Sequence, residues 1–169
     1  SFLNLDCFGN SNGYINLNVS GGTVFPNNLY EFTINGLIKT QWNSYFSGLS
    51  SGNYYIAIND EHGCVDTIDF AISMPAEISV SLLEMPVNCY GGNDGIATAS
   101  TTGGSNPYTY LWLSSGGNSA TETSLMSGSY DVIVSDNNGC SKSETAIINQ
   151  PSDSLSSSIA ITDASCYNG

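Results

Sequence analysis

The chain has 169 residues, with fifteen Asp and Glu against two lysines (Lys39 and Lys142) and no arginine, for a net charge of −13. Two cations cannot build the basic patch that displaces counterions from phosphates, so nucleic acid, heparin-like polyanions and anionic lipid surfaces are excluded as partners. At 40% hydrophobic residues the chain still buries a core, no apolar run approaches the roughly 18 residues that would insert in a membrane, and Ser1 begins no signal peptide, so a fragment of a mature, soluble chain is expected.

Short alternating runs bounded by Gly, Asn, Pro and Ser follow one another along the chain, the pattern of half-buried strands. Ile15, Leu17 and Val19 alternate with Asn16 and Asn18, and Tyr30, Phe32 and Ile34 form the next apolar face. Tyr54, Ile56 and Ile58 follow, and Met74-Pro75 reads as a hinge. Beyond it come Ile78, Val80 and Leu82, then Ala97, Ala99 and Thr101, then Tyr108, Tyr110 and Trp112. Tyr130, Val132 and Val134 share a face opposite Asp131 and Ser135. The triplet Asn137-Asn138-Gly139 supplies residues that tolerate positive φ, and predicts a tight hairpin turn into a strand from Cys140 to Asn149. No helix is predicted, and about seven strands are expected per repeat.

The runs repeat because the sequence does, and internal repeats fix an architecture. Asp60-Glu61-His62-Gly63-Cys64 returns 76 residues later as Asp136-Asn137-Asn138-Gly139-Cys140, and Ser51-Gly52-Asn53-Tyr54 as Ser127-Gly128-Ser129-Tyr130. Cys7, Gly13 and Gly21-Gly22 match Cys89, Gly95 and Gly103-Gly104 at an offset of 82, so the first copy carries a net six-residue insertion between Gly22 and Gly52. Cys166-Tyr167-Asn168-Gly169 repeats Cys89-Tyr90-Gly91-Gly92. The expected division is a first repeat over 1–75, a second over 76–151, and the opening strand of a truncated third over 152–169. That strand is expected to pack on the second copy, on another chain or within a larger assembly.

Two patterns carry a resemblance. Cys-x-Gly-x-x-x-Gly (Cys7, Gly9, Gly13; Cys89, Gly91, Gly95) opens each copy, and Gly-x-Tyr-x-(I/V)-x-(I/V)-x-Asp-x-x-Gly-Cys closes it, from Gly52 to Cys64 and from Gly128 to Cys140. Together with Gly103-Gly104-Ser105-Asn106-Pro107-Tyr108-Thr109-Tyr110-Leu111-Trp112 they resemble the SprB repeat, and the pattern is also similar to PKD-type immunoglobulin-like modules. The first copy keeps Gly21-Gly22 but replaces the rest of the third signature by the longer Val24 to Ile34 segment. The resemblance implies an all-β fold of tandem immunoglobulin/PKD-like β-sandwich repeats arranged end to end. It further implies a very large extracellular, cell-surface adhesin of gliding bacteria of the Bacteroidota, exported by the type IX secretion system. Its expected partners are neighbouring repeats of the same chain, the secretion and gliding machinery, and an extracellular surface or polysaccharide.

Cysteines at the same two landmarks of each copy point to an oxidising compartment. Zinc is disfavoured by the lack of Cys-x-x-Cys and by His62 being the lone histidine, and a nucleophilic cysteine would lack a histidine base in the second copy. Three pairings are open for Cys7, Cys64, Cys89, Cys140 and Cys166. Pairing within a repeat joins Cys7 to Cys64 and Cys89 to Cys140. Pairing of neighbours joins Cys64 to Cys89 and Cys140 to Cys166. If the unit is immunoglobulin-like, the two cysteines of one repeat lie at opposite ends of the sandwich, roughly 20 Å apart, beyond the reach of a disulfide. Cys7 would then meet Cys140 as a staple between consecutive repeats.

Asp6, Asp60, Glu61 and Asp136 are candidate calcium ligands, with Asn137 and Asn138 as carbonyl donors, although no Asp-x-Asp-x-Asp-Gly loop is present. The competing reading makes them turn formers and solubilising charge. Asp66-Thr67-Ile68 and Asp153-Ser154-Leu155 look like the Asp-(Ser/Thr)-apolar motif for O-glycosylation, which makes Thr67 and Ser154 candidates. No catalytic constellation repeats in both copies, so no enzyme is expected. The competing function is a carbohydrate-binding or spacer module of a secreted enzyme, for which Trp42, Tyr45 and Phe46 in the insertion are the candidate surface contacts.

Overall fold

The computed structural model describes residues 1–26, 30–35 and 44–160, and the backbone of 37–39. Among them are thirteen strands and no helix. Two compact units are present. The first comprises Ser1–Val80, Thr101–Thr109 and Val134–Lys142, so it takes in two segments of the second sequence repeat. The second comprises Ser81–Ser100, Tyr110–Ile133 and Ser143–Gly169.

The first repeat supplies β1 (Phe2–Leu3), β2 (Gly13–Asn16), β3 (Glu31–Ile34), β4 (Leu37–Lys39), β5 (Tyr45–Leu49), β6 (Gly52–Asn59) and β7 (Val65–Ile72). They form two antiparallel sheets, ordered β1-β2-β5 and β4-β3-β6-β7. Period-2 alternation turns one face of each strand inward. Ile15, Phe46 and Leu49 from one sheet and Phe32, Ile34, Ile56 and Ile72 from the other make a single buried cluster with Leu5, the core of a β-sandwich. Phe32 and Phe46 meet edge to face across it, with ring centroids 5.8 Å apart. Tyr54 and Phe70, on paired strands β6 and β7, stack at 5.3 Å.

The insertion in the first repeat accounts for β4. This edge strand pairs Lys39, Ile38 and Leu37 with Phe32, Thr33 and Ile34, through a turn in which Asn35 takes φ 47°. The second repeat has no counterpart to it. Its strands are β8 (Ser79–Met85), β9 (Gly95–Thr102), β10 (Thr109–Trp112), β11 (Thr121–Leu125), β12 (Gly128–Ser135) and β13 (Ser141–Ile148), in sheets β11-β9-β8 and β10-β12-β13. After β10 the chain closes a tight turn instead, with the Gly116 N–H donating to the Trp112 carbonyl and the Trp112 N–H to that of Gly117. The expected seven strands per repeat are therefore seven in the first and six in the second. In the second unit Val87, Ala97, Ala99, Trp112, Leu125, Val132, Ala146 and Ile148 are buried. The Trp112 indole N–H donates to the Ser119 carbonyl at 2.9 Å, so its polar atom is satisfied inside the core.

The second glycine of the opening motif is set by close approach. A Cβ on Gly13 would stand 2.8 Å from the Leu49 carbonyl oxygen and 3.0 Å from Ile72 Cδ1. One on Gly95 would stand 2.6 Å from Ile148 Cγ2 and 2.9 Å from the Leu125 carbonyl oxygen. Both positions bring β2 or β9 onto its neighbouring strand and the last strand of the same repeat, where only hydrogen fits.

The segment expected to open a third repeat carries no strand over 152–160, and Leu155 and Ile159 are almost fully exposed. Among the described residues no strand pairs with 152–160. Residues 161–169, Cys166 among them, lie outside the described residues.

Candidate functional site

The Asp-x-x-Gly-Cys turns are built around the aspartate. Asp136 Oδ1 accepts the backbone N–H groups of Asn138 and Cys140, both at 2.9 Å, and Oδ2 accepts that of Ser105 at 2.9 Å. In the first repeat Asp60 Oδ1 accepts from His62 at 3.0 Å and Cys64 at 2.8 Å, and Oδ2 from Thr23 at 3.0 Å. Each carboxylate thus ties the last hairpin to the Gly-Gly loop, a charge-assisted link between distant landmarks of the motif. Gly22 and Gly104 have φ of +66° and +59°, and a Cβ there would come within 3.0 Å and 2.7 Å of the Oδ2 atoms of Asp60 and Asp136. The left-handed backbone and the adjacent carboxylate both require glycine. Both aspartates are over nine-tenths buried. Truncating Asp136→Ala leaves three inward-facing amides unpaired and is expected to cost about 2–4 kcal/mol, measured as a lowered urea midpoint.

Three carboxylates titrate below the ordinary value of 3.8: Asp60 through the Thr23 and Cys64 amides, Asp6 through the side chains of Asn10 and Asn12, and Asp94 through the backbone and side chain of Asn88. A folded pKa below the unfolded one stabilises the fold above the unfolded value, and that gain is lost as pH falls through the folded value. The melting temperature is therefore expected to hold from pH 7 to about 4.5 and to fall below about pH 4. In Asp60→Asn this acid limb becomes shallower; a melting temperature independent of acid in the parent chain contradicts the assignment.

Opposite the Asp136 turn lies the loop that opens the first repeat. Asn10 closes it, its N–H donating to the Cys7 carbonyl at 3.3 Å and its Nδ2 to Asp6 Oδ1 at 2.7 Å. Cys7 and Cys140 form a disulfide with Cα atoms 5.7 Å apart across a sequence separation of 133. Asn138 Nδ2 reinforces it, donating to the Asp6 carbonyl at 2.8 Å and to Ser105 Oγ at 3.1 Å. The bond belongs to the first compact unit and joins the opening loop of one sequence repeat to the closing turn of the next. It displaces the pairings of Cys7 with Cys64 and of Cys140 with Cys89 or Cys166. Cys64 and Cys89 are free and exposed. Asn137 and Asn138 do not adopt positive φ in this turn; Gly139 alone does, at +83°. The asparagines serve by their bonds, because the Asp136 carboxylate holds the turn that a mirror-type hairpin would otherwise need.

The calcium candidates are spread out. Asp6 is engaged with Asn10, Asp60 and Asp136 direct their oxygens at amides, and the Glu61 N–H donates to the Thr23 carbonyl. Among the described residues no three His, Cys, Asp or Glu side chains group to hold a metal ion. At Asp60 and Asp136 three backbone N–H groups each occupy carboxylate positions that a hard cation would otherwise take. Of the aromatic candidates, Trp42 lies outside the described residues. Tyr45 is exposed and its ring lies 5.4 Å from that of Tyr14. Phe46 is corrected: it is 3% exposed and part of the core. Adjacent residues of a strand point to opposite faces, so Tyr45 and Phe46 cannot share one surface strip. Thr67 and Ser154 are both exposed, Thr67 on β7 with its N–H bonded to Asp66 Oδ1. His62 is exposed in its turn. The link between the Gly-Gly loops and the closing turns was missed from sequence, although both landmarks recur in the same order in each copy.

The family model of the SprB repeat matches residues 2–37 and 85–117. No curated protein matches the chain. Among solved structures it is similar to the N-terminal four Ig domains of Dscam1 isoform 9.44, at 17% identity over 73% of this chain and 37% of that one, with a TM-score of 0.36. It is also similar to isoform 7.44 at 17% identity, 73% and 37% coverage and a TM-score of 0.37. The amphioxus IgVJ-C2 molecule is 12% identical over 81% of this chain and 95% of that one, with a TM-score of 0.37. The chain spans less than half the length of the Dscam chains it matches.

Proposed function

We propose that this chain, similar to the SprB repeat over residues 2–37 and 85–117, is a segment of a large repetitive adhesin on the outer surface of a gliding bacterium, with repeats divided at 75/76 and 151/152. Its part is an elongated stalk that spans distance and carries tension, while chemistry is done elsewhere. The observation that supports this reading is the Cys7–Cys140 disulfide, which joins the opening loop of one sequence repeat to the closing turn of the next; bonds of this kind persist in oxidising settings such as a cell surface. The charge of −13 keeps neighbouring fibres apart and the stalk soluble. Glycans on Thr67 and Ser154, both exposed, would add protection against proteases.

Type IX export and attachment to the gliding machinery follow from the same family reading. An antibody raised against the chain, applied to intact producing cells, is expected to label their surface and to inhibit spreading on agar. Label that appears only after lysis contradicts the proposal.

A further inference from the structure

We propose that Cys64 and Cys89 are the two open halves of the joint that Cys7 and Cys140 close, so that each receives a further repeat of the same kind. This rests on the reading of the chain as part of a longer array.

The unbonded cysteines already have the geometry of the bonded ones. At Cys140 the Asp136 N–H donates to the Cys140 carbonyl at 2.9 Å and the Gly139 N–H to the Asp136 carbonyl at 3.1 Å; at Cys64 the Asp60 N–H donates to the Cys64 carbonyl and the Gly63 N–H to that of Asp60, both at 3.0 Å. The glycines beside them have φ of +83° and +78°. The opening loops match in the same way. The Asn10 N–H donates to the Cys7 carbonyl at 3.3 Å and the Gly92 N–H to that of Cys89 at 2.9 Å, with Gly9 and Gly91 at φ +77° and +72°. Each opening cysteine is followed by an exposed aromatic, Phe8 or Tyr90.

The surroundings correspond too. Beside the closed joint lies a cavity of about 350 Å³ that Cys7 and Phe8 line together with Gly104, Asp136, Cys140 and Lys142. Beside Cys64 lies one of about 190 Å³ bounded by the counterparts Gly22, Asp60, Cys64 and Asp66. The Cys64 turn is therefore a socket, and the Cys89-Tyr90 loop is a plug. Socket and plug differ, which gives the joint a direction: opening loop of one repeat to closing turn of the following one.

Closing the bond removes a proton from each thiol, joins the two sulfurs, and passes two electrons to a disulfide oxidant, which leaves as two thiols. The test uses the whole chain with Cys166→Ser, at high concentration in a reduced and oxidised glutathione buffer. Equilibration is expected to give a ladder of linear oligomers in which Cys64–Cys89 linked peptides exceed the two like-to-like linkages several-fold. Cys64→Ser or Cys89→Ser, each at an exposed site away from the core, is expected to abolish the ladder and leave monomer. A random mixture of linkages, dimers that persist in both single variants, or thiols merely capped by glutathione would overturn the proposal. Surface labelling of cells is unaffected by any of these results, so failure of the joint is distinguishable from failure of the adhesin reading.

Discussion

Reducing the Cys7–Cys140 bond, or replacing both cysteines by serine, is expected to destabilise the chain by about 3–5 kcal/mol and to lower its melting temperature by roughly 8–15 °C. The bond closes a loop across a separation of 133 residues, and longer loops remove more entropy from the unfolded chain. The loss is large against the roughly 5–15 kcal/mol that holds a domain together. Asn138 keeps its amide bonds to Asp6 and Ser105 after the sulfurs part, so local order at the joint falls less than global stability. Calorimetry with and without reductant measures the shift. The double serine variant must reproduce it, whereas Cys64→Ser with Cys89→Ser, both free and exposed, is expected to change stability by less than about 0.5 kcal/mol. Equal melting temperatures with and without reductant would refute the stabilising role.

Trp112→Ala is the second large effect, expected to cost about 3–5 kcal/mol. Trp112 is fully buried, and its indole N–H satisfies the Ser119 carbonyl. Truncation leaves a cavity and also strips that carbonyl of its donor. The second repeat depends on this side chain because its β9 offers only Ala97 and Ala99 where the first repeat has Ile15 and Leu17. Alanines are short side chains, and a core that carries them on β9 has less apolar volume with which to refill the space of a lost ring. Urea unfolding followed by far-UV circular dichroism should show the midpoint fall in Trp112→Ala and fall less in Trp112→Phe. An unchanged midpoint for the alanine variant contradicts a core role.

Much of the fold was legible because strand alternation is local. Tyr130, Val132 and Val134, or Tyr54, Ile56 and Ile58, announce their inner face through a period of two that no distant residue has to confirm. The same rule, applied one residue at a time, separates Tyr45 from Phe46. The aspartates were harder to read. A carboxylate in a turn beside glycine looks the same whether it awaits a cation or is filled by amides, and for Asp60 the deciding donor is the Thr23 N–H, 37 residues away. The edge strand β4 had no counterpart in the second copy to align against, so nothing in the repeat marked it. Disulfide pairing was open for a related reason. All the cysteines share the same two local contexts, and only the topology of consecutive repeats brings Cys7 to Cys140.

The Cys7–Cys140 bond also reroutes mechanical force. Drawn out at about 3.3–3.6 Å per residue, the chain between the two sulfurs would yield roughly 440–480 Å of slack. A pull applied at the two ends passes through the sulfur bridge and never reaches that slack, even when both sheets of a repeat have come apart. Thermal melting and elongation are thereby uncoupled: the bridged chain can lose its structure under strain and keep its length.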